Sequence, residues 1–300
     1  MSSLIEQAAK RLEQLRQAGA DVPVASPVAP PPIAKQLPVP DVQIASPASL
    51  SRRIEIDLDA LSQAGIVSPN APRSQIADQF KVIKRPLIKN AMGKGASVIP
   101  NGNLIMVTSA LPGEGKSFTA INLALSIAME LDNTVMLVDA DVARPSVMNV
   151  LGLETGPGLM DLVVDESVEL SSVLLKTNID KLTILPSGTP HARATELLAS
   201  DAMIRLLDDM AKRYPDRIIV FDSPPLLLTT EARVLASHMG QIVVVVRAGQ
   251  TLQSDVKLAL STIEACPIKL MLLNQVTSLF KGRAGYGYGY GYGHGYEQQE

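Results

Sequence analysis

Between about Asn101 and Asn274 the chain repeats one pattern. Short apolar, β-branched runs, "NLIMVTS", "TVMLVDA", "KLTILPS", "RIIVFDS", "QIVVVVR" and "KLMLLNQ", alternate with segments of helical character. A run that is apolar at every position has no face to offer water, so it must be covered on both sides. The intervening helices supply that cover, and the pattern predicts an α/β layered fold: a mostly parallel β-sheet flanked by helices. In such folds ligands bind beyond the carboxyl ends of the strands. The residues that end each run are therefore the candidates for chemistry.

The first run leads into "ALPGEGKSFTAINLALSIAMEL", Ala110 to Leu131. Gly113 and Gly115 allow backbone N–H groups to turn inward around an anion, and the N-terminus of the next helix adds positive potential. Lys116 would neutralise the β- and γ-phosphates, and Ser117 would place its hydroxyl on Mg²⁺; Glu114 and Phe118 complete the phosphate-binding stretch. Where the usual pattern begins with glycine this chain has Ala110.

The second run ends "MLVDADVARP", with Asp139 and Asp141 two residues apart. Strand geometry would aim both carboxylates to one side. The fourth run ends "IIVFDSPP", with Asp222 after four apolar residues. A single aspartate at a strand end is ordinarily a turn or cap residue. Three of them beside a phosphate-binding loop offer the oxygen ligands that Mg²⁺ takes. The sixth run ends "LLNQVTS", where Asn274 has a nucleotide base within its expected reach, and Gln275 and Thr277 replace the Lys and Asp of a guanine-specific site. The predicted class is a P-loop NTPase, with ATP and Mg²⁺ as cofactors.

Lys and Arg total 27 against 30 Asp and Glu, a net charge of -3 that gives no basic footprint for nucleic acid. Cys266 is the only cysteine, which excludes an internal disulfide. No apolar run reaches the roughly 18 residues needed to cross a bilayer. The opening "MSSLIEQAAKRLEQLRQAGA" is too charged for a signal peptide, so a cytoplasmic location is expected, with any membrane association made through a partner rather than by direct insertion.

The spacing predicts a helix over residues 3–18, with Ser3 and Glu6 in capping-box positions. The prolines from Pro23 to Pro47 predict a semi-rigid spacer, followed by a short helical patch at "IDLDALSQAGI". At the other end, "RAGYGYGYGYGHGYEQQE" holds five of the six tyrosines. Glycine alternation leaves no apolar face, and glycine is the residue most costly to order, so these tyrosines are expected to be exposed. The predicted organisation is an N-terminal helix (1–20), a proline-rich linker with a helical patch (21–72), a P-loop domain (73–282) and a Gly/Tyr-rich tail (283–300).

These motifs together resemble the bacterial tyrosine autokinases of exopolysaccharide and capsule synthesis. The likeness rests on "LPGEGKS" as Walker A, "VMLVDADVARP" as a second acidic motif, "IIVFDSPP" as Walker B and the terminal tyrosine cluster, and covers roughly Arg73 to the end. "LIEQAAKRLEQLRQAGA" and "FKVIKRPLI" further resemble the subgroup found with exosortase-linked exopolysaccharide loci. The resemblance implies an ATP-dependent protein-tyrosine kinase whose phosphoacceptors are Tyr286, Tyr288, Tyr290, Tyr292 and Tyr296. It implies that Lys116 and Ser117 hold the phosphates and Mg²⁺, that Asp139 and Asp141 organise the metal and receive the tyrosyl proton, and that Asp222 completes the metal shell. Which aspartate acts as base stays open.

The same resemblance implies a ring-like homo-oligomer that phosphorylates in trans, and a membrane chain-length regulator as activating partner. Asp78, Lys81 and Lys84 take the places of the family's ExxRxxR ring motif, keeping its charges without the bidentate fork of arginine. Ala143 stands where the family more often carries Arg. Two other functions fit the same fold class. One is a partitioning or positioning ATPase, whose loop resembles "KGGxxKT" with an extra lysine where this chain has Leu111 and Pro112. The other is a non-catalytic ATP-binding regulator, which the intact Lys116, Ser117, Asp139, Asp141 and Asp222 argue against.

Overall fold

A computed structural model describes residues 52–70, 74–213 and 216–276. The helix expected over residues 3–18, the proline spacer and the tyrosine cluster lie outside the described residues. Every one of the six apolar runs is a strand. With one short addition the strands are β1 Leu104–Ser109, β2 Thr134–Asp139, β3 Leu175–Lys176, β4 Leu182–Leu185, β5 Arg217–Asp222, β6 Gln241–Arg247 and β7 Ile268–Asn274. Their order across the sheet is β3-β4-β2-β5-β1-β6-β7. All neighbours are parallel except β3 and β4. The two-residue β3 is too short to leave a periodic trace in the sequence.

Alternation along the strands divides the core in two, because successive side chains point to opposite faces. Leu104 and Met106 of β1, with Ile219 and Phe221 of β5, face one cluster; Ile105, Val107, Ile218 and Val220 face the other. The helices are α1 Leu58–Gln63, α2 Gln75–Ala91, α3 Lys116–Ala128, α4 Val147–Val150, α5 Leu159–Val164, α6 Leu170–Val173, α7 Ala194–Leu198, α8 Asp201–Arg213, α9 Thr230–Ala236 and α10 Gln253–Ser261. Buried residues of α2 and α3 join the second cluster, and those of α5, α8, α9 and α10 the first. Helix α3 is buried along nearly its whole length. The loop at its N-terminus is thereby fixed against the end of the central strand β1.

The packed part of the chain begins well before Arg73. Ile56, Leu61, Ile66 and Val67 are buried in the same cluster as α3. Two asparagines hold this segment: Asn178 accepts from Ile56 N–H at 2.9 Å and donates to its carbonyl at 3.0 Å, and Asn122 Oδ1 accepts from Val67 N–H at 2.7 Å. Residues assigned from sequence to the linker thus cover one face of the sheet. Both asparagines are distant in sequence from the segment they hold, so composition alone marked it as spacer.

Lys84 also departs from expectation. Its side chain is 5% exposed, and Nζ lies 2.6 Å from Glu130 Oε1 and donates to the Ser126 carbonyl. This cation is engaged within the chain, joining α2 to the residues at and just past the end of α3. Lys81 pairs with Asp78 at 3.0 Å on its own helix. The ring motif carried over by resemblance is therefore corrected at Lys84: the position is a buried ammonium paired with a half-exposed carboxylate.

Candidate functional site

The phosphate-binding loop is built by two glycines in left-handed backbone, Gly113 at φ 78° and Gly115 at φ 96°. A side chain at either would strain that conformation. Gly115 also has Asn274 directly against it: a Cβ there would collide with Asn274 Nδ2. Ala110 is fully buried beneath the loop, which accounts for an alanine at the motif's first position. Glu114 points inward too. Its Oε2 accepts from Leu111 N–H at 2.7 Å and its Oε1 from the Thr251 hydroxyl, so its carboxylate braces the loop from below and does not face a phosphate.

Lys116 begins α3 and donates to Asp141 Oδ2 at 2.7 Å, with side chains 13% and 6% exposed. Asp141 Oδ1 accepts from Arg144 N–H at 3.1 Å. Strand β2 stops at Asp139, so the turn after it, and not strand alternation, turns Asp141 toward the site. Parallel register places Asp139 directly opposite Asp222 on the adjacent strand. Asp139 Oδ2 accepts from the N–H groups of Ser146, at 3.0 Å, and Val147, at 2.9 Å. Ser146 Oγ sits 2.8 Å from Ser117 Oγ and 3.4 Å from Asp222 Oδ2.

Electrostatics follow from this packing. Burial pushes the Asp222 carboxyl up to about 7, against the pull of the Lys116 charge and the Ser117 hydroxyl; Asp139 and Asp141 nearby push it further up. Burial likewise carries Asp139 up to about 6, although the backbone N–H groups of Val147, Ser146 and Asp141 oppose it. One oxygen of each carboxylate, Asp139 Oδ1 and Asp222 Oδ1, is buried with no hydrogen-bond partner. Leaving a buried acceptor unmet costs about 1–3 kcal/mol, more when it is charged. Two orphaned carboxylate oxygens beside the Ser117 hydroxyl fit a hard divalent cation that takes oxygen ligands and retains several waters. No cluster of three or more His, Cys, Asp or Glu side chains able to hold a metal ion by itself exists among the described residues.

Among the predicted nucleotide contacts, Lys116, Ser117, Asp139, Asp141 and Asp222 converge. Asn274 does not point away to a base but leans on the loop, donating to the Glu114 carbonyl at 2.9 Å. Gln275, at φ 55°, donates to the Gly113 carbonyl at 3.0 Å. Phe118 lines a groove of about 1090 Å³ between α2 and β7, with Phe80, Ile83, Leu270 and Leu272. Tyr286, Tyr288, Tyr290, Tyr292 and Tyr296, expected from the sequence as phosphoacceptors, lie outside the described residues. Sequence reasoning missed Ser146 and Thr251. Ser146 caps the N-terminus of α4 and Thr251 lies in the loop after β6; their positions past strand ends marked the region, but no motif singled them out.

A parallel sheet with a glycine loop and lysine at the N-terminus of its central helix, and carboxylates at two neighbouring strand ends, defines a P-loop NTPase. The AAA domain family profile matches residues 102–270. The chain is 30% identical to the tyrosine-protein kinase YwqD of Bacillus subtilis over 209 residues, 70% of this chain and 84% of that protein. It is 33% identical to the tyrosine-protein kinase ptk of Acinetobacter johnsonii over 186 residues, 61% of this chain but only 24% of that longer kinase. In three dimensions it matches the chimerical protein CapA2B2 with a TM-score of 0.58 and 26% identity, covering 74% of this chain and 93% of that one. The chain belongs to the family of bacterial tyrosine-protein kinases. No helix among the described residues is long and apolar enough to cross a membrane.

Proposed function

We propose that the protein is an ATP-dependent tyrosine kinase that phosphorylates its own C-terminal cluster, Tyr286, Tyr288, Tyr290, Tyr292 and Tyr296, and through it regulates the polymerisation and export of an exopolysaccharide. The observation that carries this is the convergence of Lys116, Ser117, Asp139, Asp141 and Asp222, with two buried carboxylate oxygens left without partners. Ser117, Asp139 and Asp222 would hold Mg²⁺, which supplies charge neutralisation on the phosphate oxygens when bound. Lys116, held ready by Asp141, would turn to the β- and γ-phosphates.

In the reaction the tyrosyl oxygen forms a bond to the γ-phosphorus, the bond from that phosphorus to the β-phosphate oxygen breaks, and ADP leaves. A phenol with an ordinary pKa near 10 must give up its proton, and a carboxylate of the Asp139/Asp141 pair receives it. The tail is tied to the domain that modifies it, so a neighbouring copy meets it at roughly millimolar effective concentration if the reach matches the span. This supports transfer between subunits of a homo-oligomer, independently of the internally used Lys84. A membrane chain-length regulator as activator, peripheral attachment to the inner membrane and membership of the exosortase-linked subgroup rest on the sequence likeness.

Incubating the purified full chain with Mg²⁺-ATP and mapping phosphotyrosine by mass spectrometry tests the proposal, with Lys116→Met as control. Tail phosphotyrosine that disappears in the control is the expected result. Lys116-dependent ATP hydrolysis without phosphotyrosine, in the presence of the membrane activator, would instead assign a nucleotide switch of the positioning-ATPase kind.

A further inference from the structure

Ser146 belongs to none of the sequence motifs, yet it touches each side chain that would hold the metal. Its Oγ donates to Ser117 Oγ at 2.8 Å and lies 3.4 Å from Asp222 Oδ2, while its N–H donates to Asp139 Oδ2 at 3.0 Å. The residue is fixed from beneath: Val147 N–H reaches the same Asp139 oxygen, and the side chains of Val147 and Met148 are buried in the cluster that holds α3. The hydroxyl is thus held in place by the fold and is not a freely rotating surface group.

A serine hydroxyl has one proton to give and two lone pairs to offer. Ser117 cannot spend a lone pair both on the Ser146 proton and, in the same direction, on a cation. When Ser117 Oγ is engaged, the Ser146 proton has a second acceptor already within reach, Asp222 Oδ2. That carboxylate is fully buried and gains from any donor that favours its ionised form. We propose that Ser146 is a positioning residue for the divalent cation: its hydroxyl aligns Ser117 and Asp222 and sets the affinity of the site for Mg²⁺, not for the nucleotide. This rests on the Mg²⁺-nucleotide reading of the site given above. Groups that orient metal ligands from behind typically account for 10- to 100-fold in metal affinity.

The test uses the full chain and a fluorescent ADP analogue, titrated with Mg²⁺ and separately in EDTA, for the wild type, Ser146→Ala and Ser146→Thr. Thermal unfolding followed by circular dichroism confirms that each variant is folded. The expected result is that Ser146→Ala raises the Mg²⁺ concentration for half-maximal enhancement of binding at least about tenfold. Affinity in EDTA stays within about twofold, and Ser146→Thr, which keeps the hydroxyl, restores the Mg²⁺ response. An unchanged Mg²⁺ dependence in Ser146→Ala would overturn the assignment while leaving the nucleotide site standing. So would an equal loss with and without Mg²⁺ that threonine does not rescue, which marks a merely structural role. A wild type that binds nucleotide with no Mg²⁺ dependence at all would overturn both readings together.

Discussion

Replacing Asp222 by asparagine should stabilise the ligand-free protein and abolish its response to Mg²⁺. Asp222 is fully buried and its carboxyl is pushed from 3.8 up to about 7 by burial. Between those two values the folded state keeps a proton that the unfolded chain has lost. Stability must therefore fall as pH rises through the window, the reverse of a salt-bridged aspartate. About three pH units at 1.36 kcal/mol each set a ceiling of about 4 kcal/mol on the penalty carried at pH 8. Asparagine has nearly the same shape and never ionises, so it removes that penalty; its amide meets the surrounding acceptors less well, leaving a gain of about 2–3 kcal/mol. Urea unfolding in EDTA at pH 5, 6, 7 and 8 reads it out. The advantage of Asp222→Asn over the wild type should grow from pH 5 to about pH 7 and level off by pH 8, and adding Mg²⁺ to the ADP-bound protein should raise the stability of the wild type but not of the variant. A gap that does not grow between pH 5 and pH 7, or a variant less stable than the wild type at pH 8, would refute the argument that burial of this charge destabilises the protein in EDTA.

Gly115→Ala should leave the fold intact but weaken nucleotide binding at least tenfold, because left-handed backbone costs a non-glycine residue about 1–2 kcal/mol and the new methyl group displaces Asn274; adding Asn274→Ala should recover part of the loss in a fluorescence titration. Lys84→Met should destabilise the monomer by about 1–3 kcal/mol in urea at any protein concentration, since it leaves the Ser126 carbonyl without its donor and breaks the pair with Glu130; a loss confined to oligomer formation in analytical ultracentrifugation would restore an interface role. Phe221→Ala, beside Asp222 in β5, should cost about 3–5 kcal/mol by opening a cavity in the first core cluster, read as a fall in the unfolding midpoint. Glu114→Gln should lower nucleotide affinity severalfold with little change in melting temperature, because the amide still meets Leu111 and Thr251 only in part while the loop it braces is the binding element.

Much of the fold was legible because its signals are local. Each central strand is an uninterrupted apolar run, which only a doubly covered sheet can bury, and each was found where the runs stand. The phosphate loop was legible for a similar reason: glycine at two positive-φ positions, then lysine and serine at a helix start, is a backbone requirement written in adjacent residues. The segment around Ile56 to Val67 was not legible, since its burial depends on Asn178 and Asn122, side chains far along the chain. Lys84 misled because a charge on an amphipathic helix looks the same whether water or Glu130 receives it.

The sequence by itself determined the kinds of residue at the strand ends: a lysine, a serine and three aspartates, each placed by its own neighbours in the chain. Only the tertiary structure decided what they do to one another. Parallel register set Asp139 opposite Asp222, a turn brought Asp141 to Lys116, and Ser146 came to rest between Ser117 and Asp222. Those contacts join elements tens of residues apart, and their strength comes from burial, a property of the assembled layers that no stretch of sequence carries.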